Sequence, residues 1–267
     1  MNNQPIGILD SGVGGLSVWQ EVVKELPSES IIYLADSKNC PYGQRSKEEI
    51  YRLSKRLVSF LIKENVKALI IACNSITVSC LGQLRKDFPN LPIIGTVPVI
   101  KTASSQTKNG KIGILSTNAT AKSEYQKKLI KNFAKGLEVI NLGTDRLVSF
   151  VERGELGSGD VKKKLIQDLK PFKDKKVDVI ALGCTHFPFL RSSIKNILGE
   201  NIILLDSSLA IARQVRRVLV QNKHLSASKN PSYIFYTTGS SKDFKKVMKK
   251  LTGDFPNKTE NIREAHV

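Results

Sequence analysis

Two of the four cysteines of this 267-residue chain stand in matched surroundings. Val66-Lys67-Ala68-Leu69-Ile70-Ile71-Ala72 leads into Cys73-Asn74-Ser75, and Val177-Asp178-Val179-Ile180-Ala181-Leu182-Gly183 leads into Cys184-Thr185-His186. Each is an apolar run of buried-strand length, a small residue, a cysteine, and two polar residues that begin a helical pattern. A cysteine so placed lies at the carboxyl end of a strand, where α/β folds put their sites. Its position beside a helix N-terminus favours the thiolate and is expected to lower its pKa from about 8.5. The bland alternative is a pair of small buried hydrophobes, but packing gives no reason for cysteine at one equivalent position twice. Cys80 lies within an apolar helical pattern and reads as core, while Cys40 is a loop residue without a counterpart.

Two thiols facing one another suit the inversion of a stereocentre by proton transfer. That reaction needs a base on one face and an acid on the other, and the reverse direction exchanges the roles. An amino-acid Cα–H is a very weak acid, and turnover at about 10 per second demands a barrier near 16 kcal/mol. Auxiliary groups are therefore required. Asp10, ending a strand next to that of Cys73, and His186, beside Cys184, are the candidates, although a lone acid at a strand end is often an ordinary cap.

Rival chemistries fit less well. No C-x-x-C occurs and the histidines are only His186, His224 and His266, so no metal site is expected. A single-cysteine hydrolase would pair Cys184 with His186, but residues i and i+2 do not face each other on a helix. That dyad needs a special turn and leaves Cys73 unused. Gly12-Val13-Gly14-Gly15 after a strand, with Asp36 ending the next, resembles a dinucleotide fingerprint. The third glycine is misplaced, however, and Asp10 would repel a pyrophosphate. It is not a Walker A loop either. A carboxylate held by the glycine loop and the helix N-terminus is the preferred reading.

The elements that must position these residues form a repeating series. Ile6–Asp10 reads as a strand, 16–26 as a helix, Ile31–Ala35 as a strand, and Glu48–Asn65 as a helix. The first cysteine strand follows, then a helix over Ile76–Phe88 and a strand over Pro92–Val97. The series restarts at Ile112-Gly113-Ile114-Leu115, which repeats Ile6-Gly7-Ile8-Leu9 letter for letter. A helix over Ala121–Phe133, a strand over Leu137–Leu142, helices over Asp145–Arg153 and Lys162–Lys170, the second cysteine strand, a helix over Pro188–Leu198 and a strand over Asn201–Asp206 complete it. A duplicated half-domain is expected, with the cysteine on the third strand each time; the period of about 110 residues is too long for a solenoid. From Ser207 a helix, a polar loop, a strand at Tyr233–Thr237 and a basic helix remain, too little for a core of their own. The fold class is α/β: two similar lobes with mostly parallel sheets, facing each other across a cleft.

Composition bounds the rest. A hydrophobic content of 40% allows a full core in one or two domains. No run of about 18 apolar residues occurs and the N-terminus lacks signal-peptide character, so no membrane association is expected. Four cysteines make no disulfide framework, which points to the cytoplasm and reduced thiols. The net charge of +18 admits a nucleic-acid partner, an acidic substrate or a solvated lysine-rich surface. The lysine clusters (162–164, 173–176, 245–250) are not interleaved with aromatics as single-strand stacking requires. The solvated surface is preferred, and a basic nucleotide- or nucleic-acid-binding protein stays as the alternative.

The chain resembles the glutamate racemases, cofactor-independent enzymes of the aspartate/glutamate racemase superfamily, over nearly its whole length. The stretches that carry the resemblance are Asp10-Ser11-Gly12-Val13-Gly14-Gly15-Leu16, Pro41-Tyr42-Gly43, Ala72-Cys73-Asn74 and Gly183-Cys184-Thr185-His186. The resemblance implies that Cys73 and Cys184 exchange the proton, with Asp10 assisting the first and His186 the second, and that Glu152 helps from the second lobe. It implies substrate contacts at Asp10, Ser11, Tyr42, Gly43, Asn74, Ser75, Thr117, Thr120, Thr185 and His186. It further implies lobes of 1–97 plus 207–267 and 98–206, no cofactor and no need of nucleic acid. The substrate would be L- or D-glutamate in preference to aspartate, serving peptidoglycan synthesis in a bacterial cytoplasm. Oligomeric state is left open, a homodimer being admitted. Three residues depart from the family's Cys-Asn-Thr-Ala-Ser, for which this chain has Cys73-Asn74-Ser75-Ile76-Thr77: Ser75 keeps the hydroxyl without the methyl, Ile76 adds bulk in the first helical turn, and Thr77 stands in place of serine.

Overall fold

The computed structural model describes residues 2–96, 99–255 and 261–267. The first series runs β1 (Ile6–Asp10), α1 (Leu16–Glu25), β2 (Ile31–Ala35), α2 (Lys47–Lys63), β3 (Ala68–Ile71), α3 (Asn74–Asp87) and β4 (Ile93–Gly95). After α4 (Ile100–Gln106) the second series runs β5 (Lys111–Ser116), α5 (Asn118–Lys122), α6 (Glu124–Phe133), β6 (Glu138–Gly143), α7 (Arg146–Glu152), α8 (Gly159–Asp174), β7 (Val179–Gly183), α9 (Arg191–Leu198) and β8 (Ile203–Leu205). Then come α10 (Ser208–Gln221), β9 (Tyr233–Thr237), α11 (Ser241–Thr252) and β10 (Asn261–Glu264).

Two sheets form, ordered β10-β9-β2-β1-β3-β4 and β6-β5-β7-β8, with every pairing parallel. The run β2-β1-β3-β4 repeats as β6-β5-β7-β8, so the duplication read from four letters is a duplication of topology. Register repeats as well. Ile6 pairs with Ala68 and Ile112 with Val179, and each cysteine lies the same number of positions beyond that partner. The two thiols therefore leave equivalent strand ends.

Local chemistry explains where the elements depart from expectation. Thr117 caps α5 by accepting from Thr120 N, and Ser123 caps α6 by accepting from Gln126 N. Each cap satisfies orphan amides of its own helix, so the helix expected over Ala121–Phe133 begins earlier and is broken in two. The helix expected from Pro188 is a 3-10 turn over Phe187–Leu190, with proline near its start, before α9. β4 ends at Gly95; Val97 and Pro98, expected in and just after that strand, lie outside the described residues. Short α4 and exposed β10 carry too few apolar residues to announce themselves.

Burial ties the pieces together. One apolar cluster runs through both lobes, joining Val13, Leu16 and Trp19 to Leu147, Val148, Val151 and Phe187. Trp19 also meets Tyr233, Phe235 and Phe255 edge-on, with centroids 5.9, 5.1 and 5.9 Å away. Such pairs add about 0.5–1.5 kcal/mol each beyond the area they bury, which anchors β9 and the segment after α11 to α1. A buried ion pair closes the far end: Lys67 Nζ lies 2.5 Å from Glu29 Oε2 and donates to the carbonyls of Asn2 and His224. No helix among the described residues is long and apolar enough to cross a membrane.

Candidate active site

The two cysteine strands, one from each sheet, both lead to one cavity, lined by Ser11, Pro41, Tyr42, Gly43, Cys73, Asn74, Ser75, Thr117, Val148, Cys184, Thr185 and His186. Cys73 is the N-cap residue of α3, in extended backbone, and its Sγ donates to Ser11 Oγ at 3.5 Å. Cys184 opens a turn closed by Phe187 N donating to its carbonyl at 3.2 Å. That is the special turn a Cys184–His186 contact requires. Because 184–186 are not yet helical, His186 folds back and places Nδ1 3.7 Å from Cys184 Sγ. The expectation that i and i+2 diverge holds on a helix, and these residues lie ahead of one.

Behind the thiols stand two carboxylates. Glu152 ends α7 and its Oε1 lies 2.5 Å from His186 Nε2. The same oxygen accepts from Val13 N at 2.8 Å. Asp10 accepts from Gly12 N at 3.0 Å and from Thr185 Oγ1 at 3.1 Å. The glycine loop thus holds carboxylates, as its chemistry suggests, but both belong to the protein. Its glycines are required for close approach: a Cβ on Gly12 would fall 2.0 Å from Glu152 Oε1, and one on Gly14 2.3 Å from His186 Nδ1. With Asp10 and Glu152 filling that position, the dinucleotide reading loses its phosphate site.

Electrostatics separate the two thiols. Burial, reinforced by the nearby Asp10 carboxylate, pushes the Cys73 thiol up to about 12. Desolvation thus outweighs the helix N-terminus, contrary to the lowering expected from dipole position alone. Burial likewise raises Asp10 to about 6, against the pull of His186. Burial alone would lower His186, but contacts with Cys184, Cys40 and Glu152 outweigh it and hold the imidazole well above its ordinary value. The site therefore sets an anion beside Cys73 and a cation beside Cys184.

The remaining expected residues divide by place. Ser11, Gly43, Asn74, Ser75, Thr117 and Thr185 line the cavity, and Asn74 Nδ2 is buried without a hydrogen-bond partner among the described residues. Ser75 Oγ meets Thr117 Oγ1 across the gap at 3.0 Å. Thr120 does not reach the wall; it stands behind Thr117, 3.1 Å from its hydroxyl. Tyr42 presents its ring, because its hydroxyl donates to Asp36 Oδ2 at 2.5 Å. Sequence reasoning missed Pro41 and Val148 in the wall and Asp145, which packs against Gly43. It also missed Cys40, whose thiol reaches the His186–Glu152 pair. Only its place beside Pro41-Tyr42-Gly43 hinted at that.

Residues 6–215 match the Asp/Glu/hydantoin racemase family, and the chain belongs to it. It is 38% identical to a glutamate racemase of Stutzerimonas stutzeri over 94% of each chain. A glutamate racemase isoform from Bacillus anthracis superposes with a TM-score of 0.87 at 32% identity, covering 100% of this chain and 99% of that one. A Francisella tularensis glutamate racemase, solved in complex with D-glutamate, gives 0.85 at 32% identity, covering 100% and 98%. Within the family the chain belongs with the glutamate racemases.

Proposed function

We propose that this chain interconverts L- and D-glutamate by a two-thiol proton transfer in the cavity between its lobes. The observation that carries the reading is that Cys73 and Cys184, from equivalent strand ends of the two sheets, line one cavity, each with its own polar partner. A substrate Cα held between them loses its proton to a thiolate on one face and receives one from a thiol on the other. One thiol and one thiolate are present before and after, with their positions exchanged. Asp10, an anion beside Cys73, favours the thiol form there, and His186 with Glu152 offers Cys184 a cation to face as a thiolate. Asp10 thus favours Cys73 as the acid in one direction; the opposite enantiomer needs the reverse. Asn74, with its unpartnered amide, and the hydroxyls of Ser11, Ser75, Thr117 and Thr185 supply donors for the carboxylates of a dianionic amino acid.

The cavity has a volume of only about 10 Å³. That is room for about one water, so glutamate enters only if the lobes part. The lobes are joined by the shared apolar cluster and by the Val13–Glu152 and Ser17–Thr185 contacts. They also meet at the Ser75–Thr117 hydroxyl contact and where Gly43 lies against Asp145. Polar contacts are readily exchanged for water, so opening would break these hydrogen bonds before it separates the shared apolar cluster. Residues 1–97 with 207–267 would move as one unit and 98–206 as the other, in keeping with the addition of β9 and β10 to the first sheet. Supply of D-glutamate for peptidoglycan in a bacterial cytoplasm completes the reading.

Incubation with either enantiomer of glutamate, without added cofactor, is expected to converge on the racemate. Cys73→Ala and Cys184→Ala should each abolish racemisation while leaving the fold intact by circular dichroism. A near wild-type rate in either variant would sink the mechanism.

A further inference from the structure

We propose that Cys40, Glu152 and His186 form a binding site for one borderline-soft divalent cation, of which Zn²⁺ is the type, and that its occupation blocks the enzyme. The three residues come from separate elements: the loop before Tyr42, the end of α7 and the turn after β7. One ligand atom from each lies within 4.8 Å of the other two. Zn²⁺ bonds of about 2.0–2.3 Å place tetrahedral ligand atoms roughly 3.3–3.8 Å apart, so closure needs a shift of about 1 Å. His186 and Glu152, now 2.5 Å apart, separate as the proton between them leaves.

The donor set chooses the ion. One sulfur, one imidazole nitrogen and one carboxylate oxygen suit Zn²⁺ or Co²⁺ and not Mg²⁺ or Ca²⁺, which take oxygen ligands. A thiolate and a carboxylate carry two negative charges against the ion's two positive ones. Glu152 Oε2 accepts no hydrogen bond among the described residues, and its side chain is 18% exposed, which leaves an oxygen and a path to solvent. On binding, the Cys40 thiol proton and the proton shared by His186 and Glu152 pass to solvent, and nothing is oxidised or reduced. Three protein ligands leave a fourth position for water or a substrate group. Inhibition rests on the reading of His186 and Glu152 as partners of Cys184; binding does not.

Titration of the full chain with Co²⁺ tests the site through the thiolate-to-cobalt charge-transfer band, with racemisation under Zn²⁺ assayed alongside. One Co²⁺ per chain with that band is expected in wild type. Cys40→Ser and Cys40→Ala should lose the band and raise at least tenfold the Zn²⁺ concentration that halves the racemisation each variant shows without metal. In wild type the ion should also shield Cys40 from alkylation, read by peptide mass spectrometry, which needs no variant to fold. A band that persists in both variants, or an unshielded Cys40, overturns the site. Co²⁺ bound at Cys40 with racemisation undiminished overturns the inhibition and the role of His186, but not the site.

Discussion

His186 touches both Glu152 and Cys184: Nε2 lies 2.5 Å from Glu152 Oε1, and Nδ1 lies 3.7 Å from Cys184 Sγ. The carboxylate thus bears on the thiol through the ring. Glu152→Gln keeps the shape and the bond from Val13 but withdraws the charge that favours imidazolium. Racemisation should fall by about 10²-fold or more, the scale of a general acid–base contribution. Steady-state kinetics should place the loss in kcat, because Glu152 is outside the cavity wall. A loss confined to KM would make Glu152 a binding residue instead.

Asp10 carries a cost in stability. Its pKa rises from 3.8 to about 6 on burial, so the folded state binds the proton more tightly than the unfolded one. Stability therefore falls as pH rises through the window from about 4 to about 6, by roughly 2–3 kcal/mol for a shift of this size. Asp10→Asn should raise the melting temperature at pH 7, lose that advantage below about pH 4, and strip away most racemase activity. A lower melting temperature for this variant than for wild type at pH 7 would show that the bonds from Gly12 and Thr185 outweigh desolvation.

Two glycine substitutions should behave oppositely. A Cβ on Gly14 meets His186 Nδ1 at 2.3 Å, whereas one on Gly82, inside α3, meets nothing within 4 Å. Gly14→Ala should displace the imidazole and reduce kcat/KM by about 10²-fold, the scale of a small misplacement at the reacting centre. Gly82→Ala should stabilise the protein by about 0.5–1 kcal/mol at unchanged activity. Thermal melts and kinetics on the pair check both.

Lys67 is completely buried against Glu29. Removing one partner of such a pair leaves an uncompensated charge and costs about 3–5 kcal/mol. Lys67→Met should destabilise by that amount in a denaturant melt, and Lys67→Met with Glu29→Gln should recover part of it. Equal stability of the single variant and wild type would mean that Glu29 finds water.

Much of this arrangement is legible in the chain itself. Alternating apolar runs and caps mark the strands and most helices, and the repeat of Ile-Gly-Ile-Leu marks the duplication that the sheet order repeats. Cys73 and Cys184 stand out by shared context. What cannot be read is whatever depends on residues distant in sequence meeting in space. The glycine loop advertises an anion but not that the anion is Glu152, 139 positions away. Dipole position suggests an acidic Cys73 thiol, yet burial, a property of the assembled lobes, reverses the sign. Cys40 carries no signal for its approach to His186 beyond its place beside Pro41-Tyr42-Gly43, and Tyr42 none for the Asp36 bond that occupies its hydroxyl.

The two-thiol claim is tested most directly by where deuterium goes. L-glutamate is converted in deuterated water, and both enantiomers are separated early and analysed for label at Cα. With Cys73 and Cys184 on opposite faces, the D-glutamate formed should carry solvent deuterium while the remaining L-glutamate stays protonated, and the pattern should mirror itself from the other enantiomer. Label entering both pools at the same rate from the outset would mean a single base serving both faces, and would contradict the account.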